Sequence, residues 1–182
     1  MENPKRWPVV YDKDELSSTI SKVQASTDVS KNYYRSINGQ QAEVFQGDII
    51  ELESEIPVIG ETGKPAAIRA ATNYWLIVGN TCDFTRDEVK WMGLSPIADA
   101  TAMDDSKLRP IKEFKTSRLY YVKPWRDGVC TALVADLTQT VCISKSSLVD
   151  HAVVCARLRR ESWLLFHCCL VRYLARDDGR ND

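Results

Sequence analysis

The stretch from residue 44 to residue 97 constrains the fold of this chain most. It holds three strand-like runs: Val-Phe-Gln-Gly-Asp-Ile-Ile at 44–50, Trp-Leu-Ile-Val-Gly-Asn-Thr-Cys-Asp at 75–83, and Lys-Trp-Met-Gly-Leu-Ser-Pro-Ile at 90–97. Tyr74 to Gly79 is apolar without a break, as expected of a strand buried on both faces. The first run alternates cleanly only from Ile50 to Glu53. Its Gly47–Asp48 step predicts a bend or bulge where another backbone passes close. Lys90 to Ile97 reads as a strand stopped by Pro96.

Strand-like runs recur at 118–122, 130–137, 140–144 and 152–158. Many short strands with turn residues between them predict a small β-barrel. Residues 54–72 carry Pro57, Gly60, Gly63 and Pro65 and read as a long loop, and 98–112 as a connector with one helical turn. Ser144 to Leu148 reads as a single helical turn crossing the barrel. At the C-terminal end the period changes. Trp163, Phe166, Leu170, Tyr173 and Leu174 predict an amphipathic helix capped by Ser162, which covers the barrel or a second subunit. Leu16, Ile20 and Val23 predict a short helix over 13–25, capped by Asp12 or Asp14. Residues 26–41 are polar and end in an Asn-Gly turn signal. The expected organisation is an N-terminal arm and short helix over 1–41, a barrel over 42–158, and a C-terminal helix over 159–182 packed on the barrel.

Composition narrows the function classes. At 182 residues the chain can bury one sizeable core. A net charge of -1 and a pI of 6.2 give no global basic field. No apolar run approaches the ~20 residues that span a bilayer. The polar first eight residues lack the apolar core of a secretory signal, so a cytoplasmic location is expected. The six cysteines, at 82, 130, 142, 155, 168 and 169, contain no Cys-x-x-Cys pair and read as small buried apolar residues. With only His151 and His167 beside them, neither a metal site nor a cofactor is expected.

The order of parts resembles a known family. Gly-Asp-Ile-Ile on a first strand, an apolar strand ending in a polar Asn-containing tip, and a third strand closing in Ser-Pro-Ile resemble the MazF/PemK toxin barrel. Val-Ala-Asp-Leu-Thr-Gln-Thr-Val-Cys-Ile-Ser-Lys-Ser-Ser-Leu at 134–148 is similar to the late strand and helix start of the same family. The Asn-Thr-Cys-Asp block, Tyr-Tyr-Val-Lys-Pro at 120–124 and the terminal Trp-Leu-Leu-Phe also resemble uncharacterised bacterial proteins with a Thr-Cys-Asp motif. The resemblance implies an SH3-like β-barrel that forms homodimers, binds single-stranded RNA in a groove and cuts it without metal. It places the protein in toxin–antitoxin or phage-defence systems, with an antitoxin as partner. The family's cleavage chemistry uses an Arg before the second core strand and a Ser or Thr after the third. Here those slots hold Asn73–Tyr74 and Ala98. Ala98 can neither take a 2′-OH proton nor stabilise an oxyanion. Arg69 and Thr101 are the replacements available from shifted positions.

Independently of the resemblance, Lys64, Arg69 and Arg86 sit on loops that a barrel would bring to one rim. With Tyr74 and Trp91 they can form a shallow groove for phosphate and stacked bases. The alternative is solvated cations and core aromatics. Cys82 and Asp83, among Asn80, Thr81 and Arg86, are the sharpest local feature. Cys82 is a thiolate nucleophile if a cation lowers its pKa, or else a buried Cys at a barrel end with Asp83 closing an Asx-turn. Arg157, Arg159 and Arg160 form a cationic cluster before the last helix, solvated or set against a phosphate or acidic partner. His167 and the Cys168–Cys169 pair read as core packing. Three function classes remain: a handler of single-stranded RNA or DNA, a catalytically silent protein-interaction module, and a thiol-dependent enzyme built on Cys82.

Overall fold

The computed structural model describes residues 13–26, 32–35, 37, 43–126 and 128–175. Its strands are β1 (Tyr34–Arg35), β2 (Ile49–Glu51), β3 (Ile56–Ile59), β4 (Pro65–Ile68), β5 (Tyr74–Ile77), β6 (Trp91–Asp99), β7 (Leu119–Val122), β8 (Leu133–Asp136), β9 (Val141–Ser144) and β10 (Val153–Leu158). Its helices are α1 (Lys13–Gln24), α2 (Thr81–Phe84), α3 (Asp105–Lys112), α4 (Lys145–His151) and α5 (Arg160–Leu174). The fold is mainly β with flanking helices. An antiparallel sheet in the order β1-β10-β2-β5-β6-β8-β7, with β9 branching from β6, curls into a half-barrel.

The apolar run at β5 is buried on both faces, as its sequence requires. Leu76 joins Ile49, Ile97, Leu133 and Phe166 in one core, while Trp75 and Ile77 join Ile50, Met92 and Leu94 in another. Burying side chains of this size stabilises the fold by about 1.5–3 kcal/mol each. Helix α5 covers the first core with Leu165, Phe166, Cys169 and Leu170, whereas Leu174 stays exposed. Helix α1 packs on α5 and buries Ile20, with Leu16 and Val23 beside it. Helix α1 is therefore part of the core.

The two ends of the sheet meet through tyrosines. The Tyr33 and Tyr120 hydroxyls bond each other, both side chains being buried. Tyr34 donates to the Lys123 carbonyl at 2.6 Å, just past β7. These side chains join β1 to β7 where no backbone ladder runs between them.

Several sequence expectations are corrected. Residues 54–72 are not a plain loop, because β3 and β4 pair from Ile56↔Ile68 to Ile59↔Pro65 in a separate hairpin. Its prolines are tolerated because a two-stranded hairpin has open edges on both sides. Pro96 does not stop β6. Val78 N–H donates to Gly93 O, so three residues on, Trp75 faces Pro96 across a non-hydrogen-bonded pair. The missing N–H falls where β6 passes from β9 (Leu94↔Val141) to β8 (Ile97↔Ala135). Residues 98–112 contain the full helix α3, held by buried Leu108 and Ile111, and residues 144–148 begin the seven-residue α4. Ser162 does not cap α5. Arg159 holds that position, and the Ser162 hydroxyl is buried without a hydrogen-bond partner among the described residues. Asp12, the Asn-Gly turn and the C-terminal residues beyond 175 lie outside the described residues.

Removing one seam hydroxyl leaves its buried partner unsatisfied, at a cost of about 1–3 kcal/mol. Tyr33→Phe and Tyr120→Phe should each lower stability by that amount in chemical denaturation. The double variant should lose clearly less than the sum of the two, and simple additivity would show that the hydroxyls do not interact.

Candidate anion-binding cleft

The Gly47–Asp48 step is the bend its sequence predicts. Gly47 adopts φ +87°, and a Cβ there would meet Leu158 Cδ1 at 2.6 Å, so only glycine fits the turn. The turn closes on itself: Asp48 N–H donates to Phe45 O, and Phe45 N–H donates to Asp48 Oδ2, both at 2.9 Å. On the facing strand, the register of β10 against β2 shifts between Val154 and Ala156. Ala156 and Leu158 then join Ile49 in the first core, which turns Arg157 to the opposite face, where Asp48 also points.

There the two side chains meet. Arg157 Nε donates to Asp48 Oδ1 at 2.9 Å, and Nη2 donates to Asp48 Oδ2 and to Glu43 O, both at 2.7 Å. The arginine side chain is 6% exposed and the aspartate 1%. Burial pushes the Asp48 carboxyl above the usual carboxylate range, and the Arg157 bonds and charge work against that shift. Arg157 also stacks its guanidinium 4.1 Å from the Phe45 ring centroid.

The cross-strand partner of Arg157 is Arg35 on β1. Like charges directly opposite repel. The structure softens this by pairing Arg157 with Asp48 and by holding the Arg35 guanidinium 5.7 Å from the same Phe45 ring. Arg160, at the first turn of α5, brings a third cation. Arg35 and Arg160 are exposed, with no ion pair or hydrogen bond among the described residues. These three arginines line a cleft of ≈ 310 Å³ whose apolar wall is Leu158 and Trp163. Gln46 fixes the rim, taking Thr81 Oγ1 as acceptor for its N–H at 3.0 Å and Val78 O for its side-chain amide at 3.1 Å. Its remaining amide oxygen lies 3.4 Å from His167 Nδ1, which requires that nitrogen to carry the proton if the two bond. The His167 ring stacks behind Trp163 at 5.0 Å. His167 is thus half-buried behind Trp163 and not a plain core residue.

Of the rim and strand-tip residues nominated from sequence, only Thr81 lines this cleft, whereas Arg157 and Arg160 enter it from the cationic cluster before the last helix. The others divide between two ends of β5 and β6. Asn80 caps α2 by accepting from Cys82 N–H at 3.2 Å, Asp83 pairs with Arg86 at 3.4 Å, and Trp91 is 61% exposed nearby on β6. Asp83 thus closes no Asx-turn. Tyr74 starts β5 at the opposite end, packed edge-on to Trp125 at 4.9 Å and accepting from Arg126. The register places Tyr74 level with Ile97, six residues from Trp91, or ~20 Å at ~3.3 Å per residue. Arg69 pairs with Glu53 at 3.0 Å, and Lys64 lies at the β3–β4 hairpin turn. The single groove expected from Lys64, Arg69, Arg86, Tyr74 and Trp91 is therefore not assembled. Thr101 is held by Asp99 and Thr131, away from the arginine cluster.

The cysteines also depart from expectation, since only Cys169 is fully buried and Cys82 and Cys142 are exposed. Burial pushes the Cys155 thiol to about 11 and the Cys169 thiol to about 12. Among the described residues no three His, Cys, Asp or Glu side chains group as a metal site, and no helix is long and apolar enough to cross a membrane. What the cleft can do is hold an anion against guanidinium groups beside an aromatic face.

Arg157→Ala should cost about 3–5 kcal/mol, because it strands a buried carboxylate. A denaturant midpoint matching the wild type would show that Asp48 finds other compensation. Alkylation at pH 8, followed by mass spectrometry, should label Cys82 and Cys142 well before Cys155 and Cys169. At that pH a thiol titrating near 11 is only about one-thousandth thiolate. No protein-family model, no curated protein and no solved structure matches this chain.

Proposed function

We propose that this protein handles single-stranded nucleic acid and that the arginine cleft, not the loop rim, receives the strand. The observation that carries the reading is the cross-strand Arg35–Arg157 pair with Arg160 beside the Trp163 face. Guanidinium groups suit phosphate oxygens, and an adjacent indole suits a base of any identity. The resemblance to MazF/PemK barrels supports the same class of ligand and a role in toxin–antitoxin or phage-defence systems. The proposed role is binding. Arg69 and Thr101 are engaged by Glu53 and by Asp99 and Thr131, and the cleft lining offers only Thr81 as a hydroxyl.

A second reading, a protein-interaction module, is favoured by Trp91, which stands exposed beside β9, a strand paired among the described residues on β6 alone. Salt separates the two readings. Binding of a labelled single-stranded oligonucleotide, followed by anisotropy, should weaken steeply with salt. Each arginine removed in Arg35→Ala and Arg160→Ala should lower the slope of log K against log salt by about 0.7. No binding at low salt, or identical slopes in the double variant, would overturn the nucleic-acid reading.

A further inference from the structure

The charge of the cleft narrows the ligand further, on the strength of the reading just given. Arg35, Arg157 and Arg160 bring three positive charges and Asp48 removes one, so three minus one leaves two. Among the described residues, Asp48 is the only acidic one in the lining. An internal phosphodiester carries a single negative charge, whereas a phosphate monoester carries about −1.5 to −2 at pH 7. The cleft therefore balances the end of a strand better than its middle.

Size and layout agree. A volume of ≈ 310 Å³ lies at the low end of the ~300–1,000 Å³ typical of small-ligand sites, which is room for one nucleotide and not a run of them. Arg160 and Trp163 are three residues apart on α5, hence neighbours on one helix face, with Cβ atoms about 5–6 Å apart. That spacing sets the phosphate and base positions side by side, as within one nucleotide. Arg159 offers the α5 N-terminus no side-chain cap, so the positive end of this 15-residue helix also lies beside Arg160. The Arg35–Arg157 repulsion across β1 and β10 is relieved by whatever anion enters.

We propose that the cleft is an end-recognition site for a nucleoside monophosphate, supplied either as the phosphorylated terminus of a single strand or as the free mononucleotide. The phosphate sits among Arg35, Arg157 and Arg160, and the base lies on the Trp163 face that His167 does not cover.

The test compares one single-stranded oligonucleotide with a 5′-hydroxyl, a 5′-phosphate or a 3′-phosphate end, at fixed salt, with adenosine monophosphate as competitor. A phosphorylated end should bind about tenfold tighter or more, as charge-assisted bonds to a second phosphate charge imply. That preference should vanish in Arg35→Gln and Arg160→Gln, whose surface positions leave folding intact by circular dichroism. Displacement of the strand by adenosine monophosphate identifies the free mononucleotide as a competent ligand, and failure to displace it assigns the site to strand ends. Equal affinity for hydroxyl and phosphate ends, with both weakened by the arginine variants, overturns end recognition while the nucleic-acid reading stands. Binding of the mononucleotide without any strand overturns the strand reading and keeps the nucleotide site. Binding of neither overturns both.

Discussion

The buried pair of Asp48 and Arg157 is the interaction on which the arrangement of the cleft depends. Such a pair is weak evidence for stability, because desolvating two ions costs about as much as their attraction returns. Its effect here is positional. Three hydrogen bonds from one guanidinium to one carboxylate fix the 45–48 turn against β10. The same guanidinium reaches Glu43 O and the Phe45 ring, so the segment leading into β2 is drawn onto the last strand.

The rest of the fold supplies the frame. A half-barrel whose central strand is buried on both faces gives β2 and β5 little freedom to slip, because a one-residue shift would exchange the two cores. Helix α5 closes one face, and in doing so presents Arg160 and Trp163 at its first turn. The packing that hides Phe166 and Cys169 is thus what positions the cleft's aromatic wall. The tyrosine seam performs the same service for β1, a two-residue strand that could not hold Arg35 in place on its own ladder.

Local pattern carried most of the secondary structure. The unbroken run at 74–79, the glycine before Asp48 and the change of period after residue 160 each correspond to an observed element. The proline errors share one physical cause, which is that a residue's local meaning depends on the edge it faces. Proline inside β6 is harmless where no partner strand waits for its N–H, and prolines in the β3–β4 hairpin face open edges. Asn-Thr-Cys-Asp looked like a strand tip because its helix is one turn long and its cap is a single asparagine.

The candidate site was legible only in fragments. The sequence by itself determined a mainly β chain, a bend at Gly47, a helix after Arg159 and a cluster of arginines before it. It could not reveal that Arg157 is buried and Arg160 exposed, because a strand alternates its faces and a bulge between Val154 and Ala156 resets that alternation. Nor could it join Asp48 to a partner 109 residues away, or bring Arg35 level with Arg157. Those were decided by tertiary structure. Strand order and register, unlike hydrophobic period, are set by contacts between segments far apart in the chain.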